Sequence, residues 1–365
     1  MRTVVLAVDV VRESSGALAV SWELDGAGPV ELAVGPSPEA VDHDHPVARV
    51  DGAVRALLPE PGPGRCYVSV APVDGGAAVL AAERVVPLEG ASNFRDLGGY
   101  RIRDGGRTRW GMVFRADAPD RLTGADLAAI GGLGLRTAYD LRTDGERAKA
   151  PSVLPPVVRR VPFAIGGEAS RPTPLGELFR GDRTRAIPDD FLYRVYLDMV
   201  EQDAAVFGRV LTGLAEPDGL PAVIHCTAGK DRTGLAAALL LSVLGVDDAT
   251  LLDDYTLSRL YFNERRMAGL TPRLAALGLD EERYHAVFGA PRAAMAATLD
   301  QLRQRYASVE EYLTGRAGVT PGTIAALRAR LVAPAADTPG RTAPPELRGA
   351  GPAEPGQTGA AQSIR

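Results

Sequence analysis

The spacing of apolar side chains changes its period partway along the chain, and that change limits what the chain can fold into. Over residues 1–86, short β-branched runs are separated by Gly, Pro and Asp clusters, with no helix-length pattern between them. Leu18, Val20, Trp22 and Leu24 alternate with Ala17, Ala19, Ser21 and Glu23, which predicts a strand with one buried face. Arg65 to Ala71 repeats the pattern and puts Cys66 on one face with Val68 and Val70, so Cys66 reads as a small core side chain.

From about residue 123 the period becomes helical. Thr123 is expected to cap a helix running to about Leu133, Leu135 to Leu141 to form a strand, and another helix to start near Thr143. Val157 to Phe163 reads as the next strand, Pro188 to Glu216 as two amphipathic helices, and Pro221 to His225 as a short apolar strand. The run from Leu235 to Val246 is apolar all round but far shorter than the roughly 20 residues a membrane span needs, so it predicts a buried helix. Helical pattern continues to about Leu331. This alternation predicts an α/β domain over residues 88–332, with a mainly parallel central sheet flanked by helices. The all-β part resembles a small fibronectin type III-like sandwich in its size, its early Trp22 strand and its turn spacing. Residues 333–365 hold only Leu347 and Ile364 as large apolar side chains, too few to offset ordering entropy, and read as a disordered tail.

A chain of 365 residues has room for more than one core, and its net charge of −5 gives no overall basic field, so no nucleic-acid partner is expected. The apolar N-terminal run meets Asp9 too early for a signal-peptide core. A cytoplasmic setting is expected, with export by a route lacking such a signal left open. Cys66 and Cys226 are the only cysteines, which excludes a disulfide framework and leaves a thiol for chemistry. Neither metal nor cofactor is expected, and the oligomeric state is not legible.

Chemistry concentrates in Val223-Ile-His-Cys226-Thr-Ala-Gly-Lys230-Asp-Arg232-Thr-Gly234. A strand, a small-residue loop and an apolar helix in this order make an anion cradle. Five residues between Cys226 and Arg232 let the loop curl with its N–H groups toward one centre, while the following helix aims its positive end there. Such a field favours a cysteine thiolate nucleophile. Arg232 offers a planar fork for phosphoryl oxygens, and Thr233 a hydroxyl that could donate to the sulfur as it leaves. His225 reads as an orienting donor rather than a base. A nucleotide P-loop is disfavoured, because Ile224 stands at its first glycine and Asp231 at its hydroxyl position. Rhodanese-like sulfur transfer does not share the Lys-Asp-Arg-Thr-Gly ending.

His225 to Gly234 resembles the signature of the protein-tyrosine-phosphatase superfamily, and within it the bacterial branch whose loop reads His-Cys-x-x-Gly-Lys-Asp-Arg-Thr-Gly. Asn93-Phe-Arg95-Asp96-Leu-Gly98-Gly99-Tyr100, Phe114-Arg115-Ala-Asp117 and Tyr139-Asp140-Leu-Arg142-Thr143-Asp144 also fit that branch. The resemblance implies a Cys-phosphatase fold and a phosphate monoester hydrolase acting on phosphotyrosine, with phosphoserine and phosphothreonine as further substrates. Cys226 and Arg232 are then catalytic, and Thr227, Ala228, Gly229, Lys230, Thr233 and Gly234 bind substrate.

The leaving group needs a general acid. Glu216-Pro217-Asp218 is the nearest look-alike to the Trp-Pro-Asp loop of eukaryotic enzymes, but Asp218 precedes the strand that delivers Cys226. At about 3.3 Å per residue, it belongs well over about 15 Å from the sulfur. The resemblance suggests Asp231 instead. Asp117 and Asp140, at strand ends on the same side of the sheet, remain alternatives, each with a plainer role in capping or in pairing with Arg115 and Arg142. Apart from Lys149, Lys230 is the only lysine, and placing it in the loop suggests a need for a compact, flexible ammonium. The loop is also similar to that of tensin-like lipid phosphatases, which makes phosphoinositides the alternative substrate. A non-catalytic phosphate-binding module is a remoter one. Residues 258–290, with Tyr261, Phe262, Arg265 and Arg266, sit where the branch has a helical lid, although by pattern alone they read equally as a packed helical hairpin.

Overall fold

In the computed structural model, residues 2–61, 64–166, 187–261 and 289–333 are described. The chain divides at Ala82/Glu83 into two compact units. The expected tail beyond residue 333, and residues 262–288 of the expected lid, lie outside the described residues.

The first unit has seven strands: β1 (Val4–Arg12), β2 (Leu18–Asp25), β3 (Val30–Gly35), β4 (Ala48–Val50), β5 (Arg55–Leu58), β6 (Tyr67–Pro72) and β7 (Val79–Ala82). They form two antiparallel sheets of order β1-β2-β5 and β4-β3-β6-β7, a sandwich-like arrangement. Along β2, Leu18, Val20 and Trp22 are buried and alternate with half-buried Ala19 and Ser21, as their period requires. Leu24 is only half-buried. β6 is buried along its whole length, Cys66 just before it included, and it is a central strand paired on both edges, with β3 and with β7.

In the second unit the strands are β8 (Arg95–Asp96), β9 (Arg107–Thr108), β10 (Val113–Ala116), β11 (Thr137–Asp140), β12 (Arg159–Pro162), β13 (Ala222–His225) and β14 (Val332–Ala333). Five of them make a sheet of order β12-β11-β13-β10-β8, parallel except for β8, while β9 and β14 pair separately. Helices α1 (Gly124–Gly132) and α2 (Asp144–Lys149) start at capping boxes, Thr123 with Asp126 and Thr143 with Glu146. α3 (Phe191–Gln202) and α4 (Ala204–Ala215) bury one face each in the core.

α5 (Asp231–Leu244) follows the loop after β13, is buried almost all round as its apolar sequence predicts, and ends at Gly245 in the left-handed conformation. α6 (Asp248–Tyr261), α7 (Arg292–Tyr306), α8 (Val309–Gly315) and α9 (Pro321–Leu331) follow. Among the described residues, no helix is long and apolar enough to cross a membrane.

Candidate active site

Ala116 of β10 and Asp140 of β11 both lie level with His225 of β13 in the parallel register. The residues after them, Asp117, Leu141 and Cys226, therefore gather at the carboxyl edge of the sheet, where open α/β sheets bind ligands. Asp218 lies at the other end, accepting from the Thr137 hydroxyl through its carbonyl (3.1 Å), which is why it cannot serve the sulfur.

Three successive carbonyls of the loop are held outward. Thr227 O accepts from the Ala118 N–H (3.2 Å), Ala228 O and Gly229 O accept from Asn93 Nδ2 (3.2 and 3.1 Å), and Gly229 O also accepts from Arg115 Nη2 (2.8 Å). With the carbonyls turned away, the intervening N–H groups face the loop's centre. Gly229 has φ +65°, and a Cβ there would stand 2.6 Å from the backbone of Ala116 and Asp117, so only glycine fits.

Behind this wall is a buried ionic cluster. Asp254 of α6 accepts from Arg95 Nε (3.3 Å), Arg115 Nη1 (2.5 Å) and the Tyr100 hydroxyl (2.8 Å), while both arginines donate to Ser258 Oγ (3.2 Å). Arg95 also donates to Asn93 Oδ1. Burial, and Arg115 beside it, pull Arg95 down to about 10; burial alone would raise Asp254, but the two arginines hold it well below the carboxylate range. Asp117 does not pair with Arg115. Its carboxylate takes the N–H groups of Ser92 and Asn93 (3.2 and 3.1 Å) and so fixes the Asn93 side of the wall. Asp140 does pair with Arg142 (2.9 and 2.7 Å), which also holds Ala150 O and Ser152 Oγ and so locks the turn into α2.

At the rim, Arg232 is gripped end-on by Glu146 of α2: Nη1 donates to Oε2 (2.6 Å) and Nη2 to Oε1 (2.7 Å). The Thr227 hydroxyl donates to the same Oε1 (2.5 Å). Burial would raise the Glu146 carboxyl, but Arg232 holds it down at about 2. Nε–H of Arg232 has no partner among the described residues, so the side edge of the guanidinium remains available to an oxyanion.

Cys226 is buried at the loop's start. His225 is buried too; its Nδ1 has no hydrogen-bond partner among the described residues, and Nε2 stands 3.7 Å from Asp140 Oδ2. Burial drives its pKa down to about 4, so the ring is neutral at pH 7. The expected donation from Thr233 to the sulfur is not made: its hydroxyl is buried without a partner among the described residues. Lys230 is not a flexible ammonium. It is buried, donates to Gly289 O (2.6 Å) and lies 3.4 Å from Asp231 Oδ1. Asp231, in the first turn of α5, also receives the Tyr196 hydroxyl on Oδ1. Gly234 lets α5 close on Tyr255, whose ring would meet a Cβ at 2.9 Å.

Sequence reasoning missed Glu146, Asp254, Tyr196 and Tyr255. Only Glu146 carried a signal: its capping-box position marks it as a residue whose carboxylate turns back over the start of α2, the side on which Arg232 lies. Among the described residues, no His, Cys, Asp and Glu grouping could hold a metal ion.

A parallel sheet that delivers a cysteine into an N–H-lined loop closed by an arginine defines a Cys-phosphatase. The family model for the tyrosine phosphatase family matches residues 86–333, and the chain belongs to that family. A candidate tyrosine-protein phosphatase of Cupriavidus necator is 30% identical over 249 residues, covering 67% of this chain and 88% of that one. The triple specificity protein phosphatase PtpB of Mycobacterium tuberculosis is 30% identical over 190 residues, covering 46% and 67%. The core catalytic domain of the PP-IP phosphatase SIW14 from S. cerevisiae shares 15% identity and covers 48% of this chain and 78% of that one, at a TM-score of 0.25, too low to argue from. The chain is a phosphoric monoester hydrolase of the tyrosine-phosphatase type.

Proposed function

We propose that the chain hydrolyses phosphotyrosine, with Cys226 as nucleophile, Arg232 as phosphate clamp and Asp231 as general acid. The outward anchoring of the Thr227, Ala228 and Gly229 carbonyls carries this reading, because it directs the loop N–H groups and the start of α5 at one dianion. The S–P bond forms as the ester P–O bond breaks, and Asp231 gives its proton to the leaving oxygen. Water then attacks phosphorus, Asp231 takes a proton from it, and the sulfur departs as thiolate. Asp117, Asp140 and Arg142 support the loop without touching the phosphate.

Phosphoinositides are the second reading. The engagement of Lys230 with Gly289 and Asp231 supports a single cationic clamp, Arg232, and so favours a simple aryl phosphate. The triple specificity named for the mycobacterial relative supports assaying several ester classes. Residues 2–82 are read as a fibronectin type III-like module on the strength of the two sheet orders. The two free cysteines support a reducing, cytoplasmic compartment.

The test is phosphate release, with EDTA present, from a phosphotyrosine peptide, a phosphoserine peptide and a short-chain phosphoinositide, using the parent and Cys226→Ser. Release from the phosphotyrosine peptide should be fastest and should vanish in Cys226→Ser. Equal rates for parent and variant would defeat the covalent mechanism, and faster release from the lipid would move the substrate to the second reading.

A further inference from the structure

Asp231 has two carboxylate oxygens in unlike settings. Oδ1 receives the Tyr196 hydroxyl (2.5 Å) and lies 3.4 Å from the Lys230 ammonium, whereas Oδ2 makes no hydrogen bond among the described residues. The side chain keeps 28% of its exposure. Tyr196 in turn lies 2.5 Å, oxygen to oxygen, from the Tyr255 hydroxyl, and the two rings meet edge-on with centroids 6.2 Å apart. Both tyrosines are buried, one on α3 and one on α6.

Hydrogen-bond direction in this chain is fixed by chemistry. An ionised carboxylate only accepts, so the single Tyr196 proton is committed to Asp231, and Tyr255 must then donate to Tyr196. Burial, and next the charge of Asp231, raise the Tyr196 phenol well above its ordinary value, so it stays protonated and serves as a fixed donor rather than a proton source.

We propose that Tyr255 and Tyr196 form a two-phenol relay that positions Asp231, pinning Oδ1 in the protein so that Oδ2 alone exchanges the proton with leaving group and water. This rests on the general-acid reading of Asp231. When Asp231 gives up its proton, the new negative charge develops on a carboxylate that already has a preoriented donor, which costs no reorganisation at that moment. The relay also opposes Lys230. Without the Tyr196 hydroxyl, the carboxylate has only the ammonium to satisfy it on the protein side, and it turns toward that partner and away from the substrate. Tyr196 and Tyr255 are positioning residues in this account.

The experiment compares Tyr196→Phe, Tyr255→Phe, Asp231→Asn and Tyr196→Phe/Asp231→Asn, each checked for parental circular dichroism and melting. kcat/KM is measured against pH for phenyl phosphate, a poor leaving group, and 4-nitrophenyl phosphate, a good one. General acids contribute about 10²–10⁴-fold. Tyr196→Phe should cost about 10-fold or more on phenyl phosphate, several times less on 4-nitrophenyl phosphate, and should move the basic limb of the profile to higher pH. The limb moves up because a donor that favours the ionised acid has been removed. Tyr255→Phe should do the same more weakly, which keeps the relay testable should Tyr196→Phe fold poorly.

In the Asp231→Asn background, Tyr196→Phe should cost almost nothing further. Equal losses on both esters with an unmoved limb, or full additivity in the double variant, would overturn the relay alone. An Asp231→Asn enzyme with the parent's dependence on leaving group would overturn the general-acid reading, and the relay with it.

Discussion

The phosphate loop is held by two ion-pair systems of opposite character. At its back, Arg95, Arg115 and Asp254 have side chains with no more than 1% exposure; apart from Arg115 Nε, which has no partner among the described residues, their charged atoms are tied to the loop, to α6, to Asn93, to Tyr100 or to each other. At its rim, Glu146 and Arg232 keep 33% and 15% of their side-chain exposure, and on the proposed function they border the phosphate's way in. Removing one partner of a buried cluster strands a charge that water cannot reach, whereas a rim pair can trade a partner for solvent or substrate. The back of the loop is therefore scaffold. The rim is machinery that can be altered without loss of the fold.

That contrast can be broken first at Asp254. Asp254→Asn leaves two arginines with one lost countercharge, and should cost about 3–5 kcal/mol of stability in chemical denaturation along with nearly all activity. A change within 1 kcal/mol would mean that the cluster is not the scaffold described. Next in size is Gly229→Ala, in which the added methyl must displace the Ala116–Asp117 backbone. Activity on phosphotyrosine peptide should drop by about 100-fold or more, a loss of about 2.7 kcal/mol in transition-state binding, with the melting temperature less affected.

Glu146→Gln tests the rim. It should cut kcat/KM about 10-fold by loosening the Arg232 fork while changing stability by less than about 1 kcal/mol, and a fall in melting comparable to that of Asp254→Asn would erase the distinction.

The smallest effect concerns His225, buried beside the loop. Its folded pKa is about 4 against an ordinary value of 6.5, so the unfolded chain binds a proton between those values that the folded protein refuses. Stability is therefore fully present above about 6.5 and is lost progressively as pH falls toward 4. About 1 kcal/mol should disappear between pH 7 and 5.5, and His225→Asn should flatten that slope in urea titrations.

Much of the fold was legible because its signals are local. Helices start at Thr123, as its reading as an N-cap expected, and at Thr143, where the helical period resumes, and the apolar run at Leu235 became a helix buried on nearly every side. The loop from Cys226 to Gly234 was legible for the same reason, since its chemistry is contiguous. Its supports were not. Asp254 and Tyr196 stand in ordinary-looking helices, and nothing in their neighbouring residues shows that packing brings one to Arg95 and Arg115 and the other to Asp231. Lys230 misled for a related reason: a lysine in a glycine-bearing loop reads as a flexible ammonium, whereas it is buried and held by contacts that include the distant Gly289.

The two cysteines carry a last consequence. Each unit contains one, and both are buried, Cys66 at 4% exposure and Cys226 at 2%. A disulfide reagent added to the native protein reaches Cys66 only when the all-β unit opens, whereas Cys226, the proposed nucleophile, is approached through the loop that admits substrate, so its labelling also follows the chemistry of the thiol. Peptide mapping of the two adducts thus separates the loosening of the all-β unit from access to the catalytic loop in a single sample.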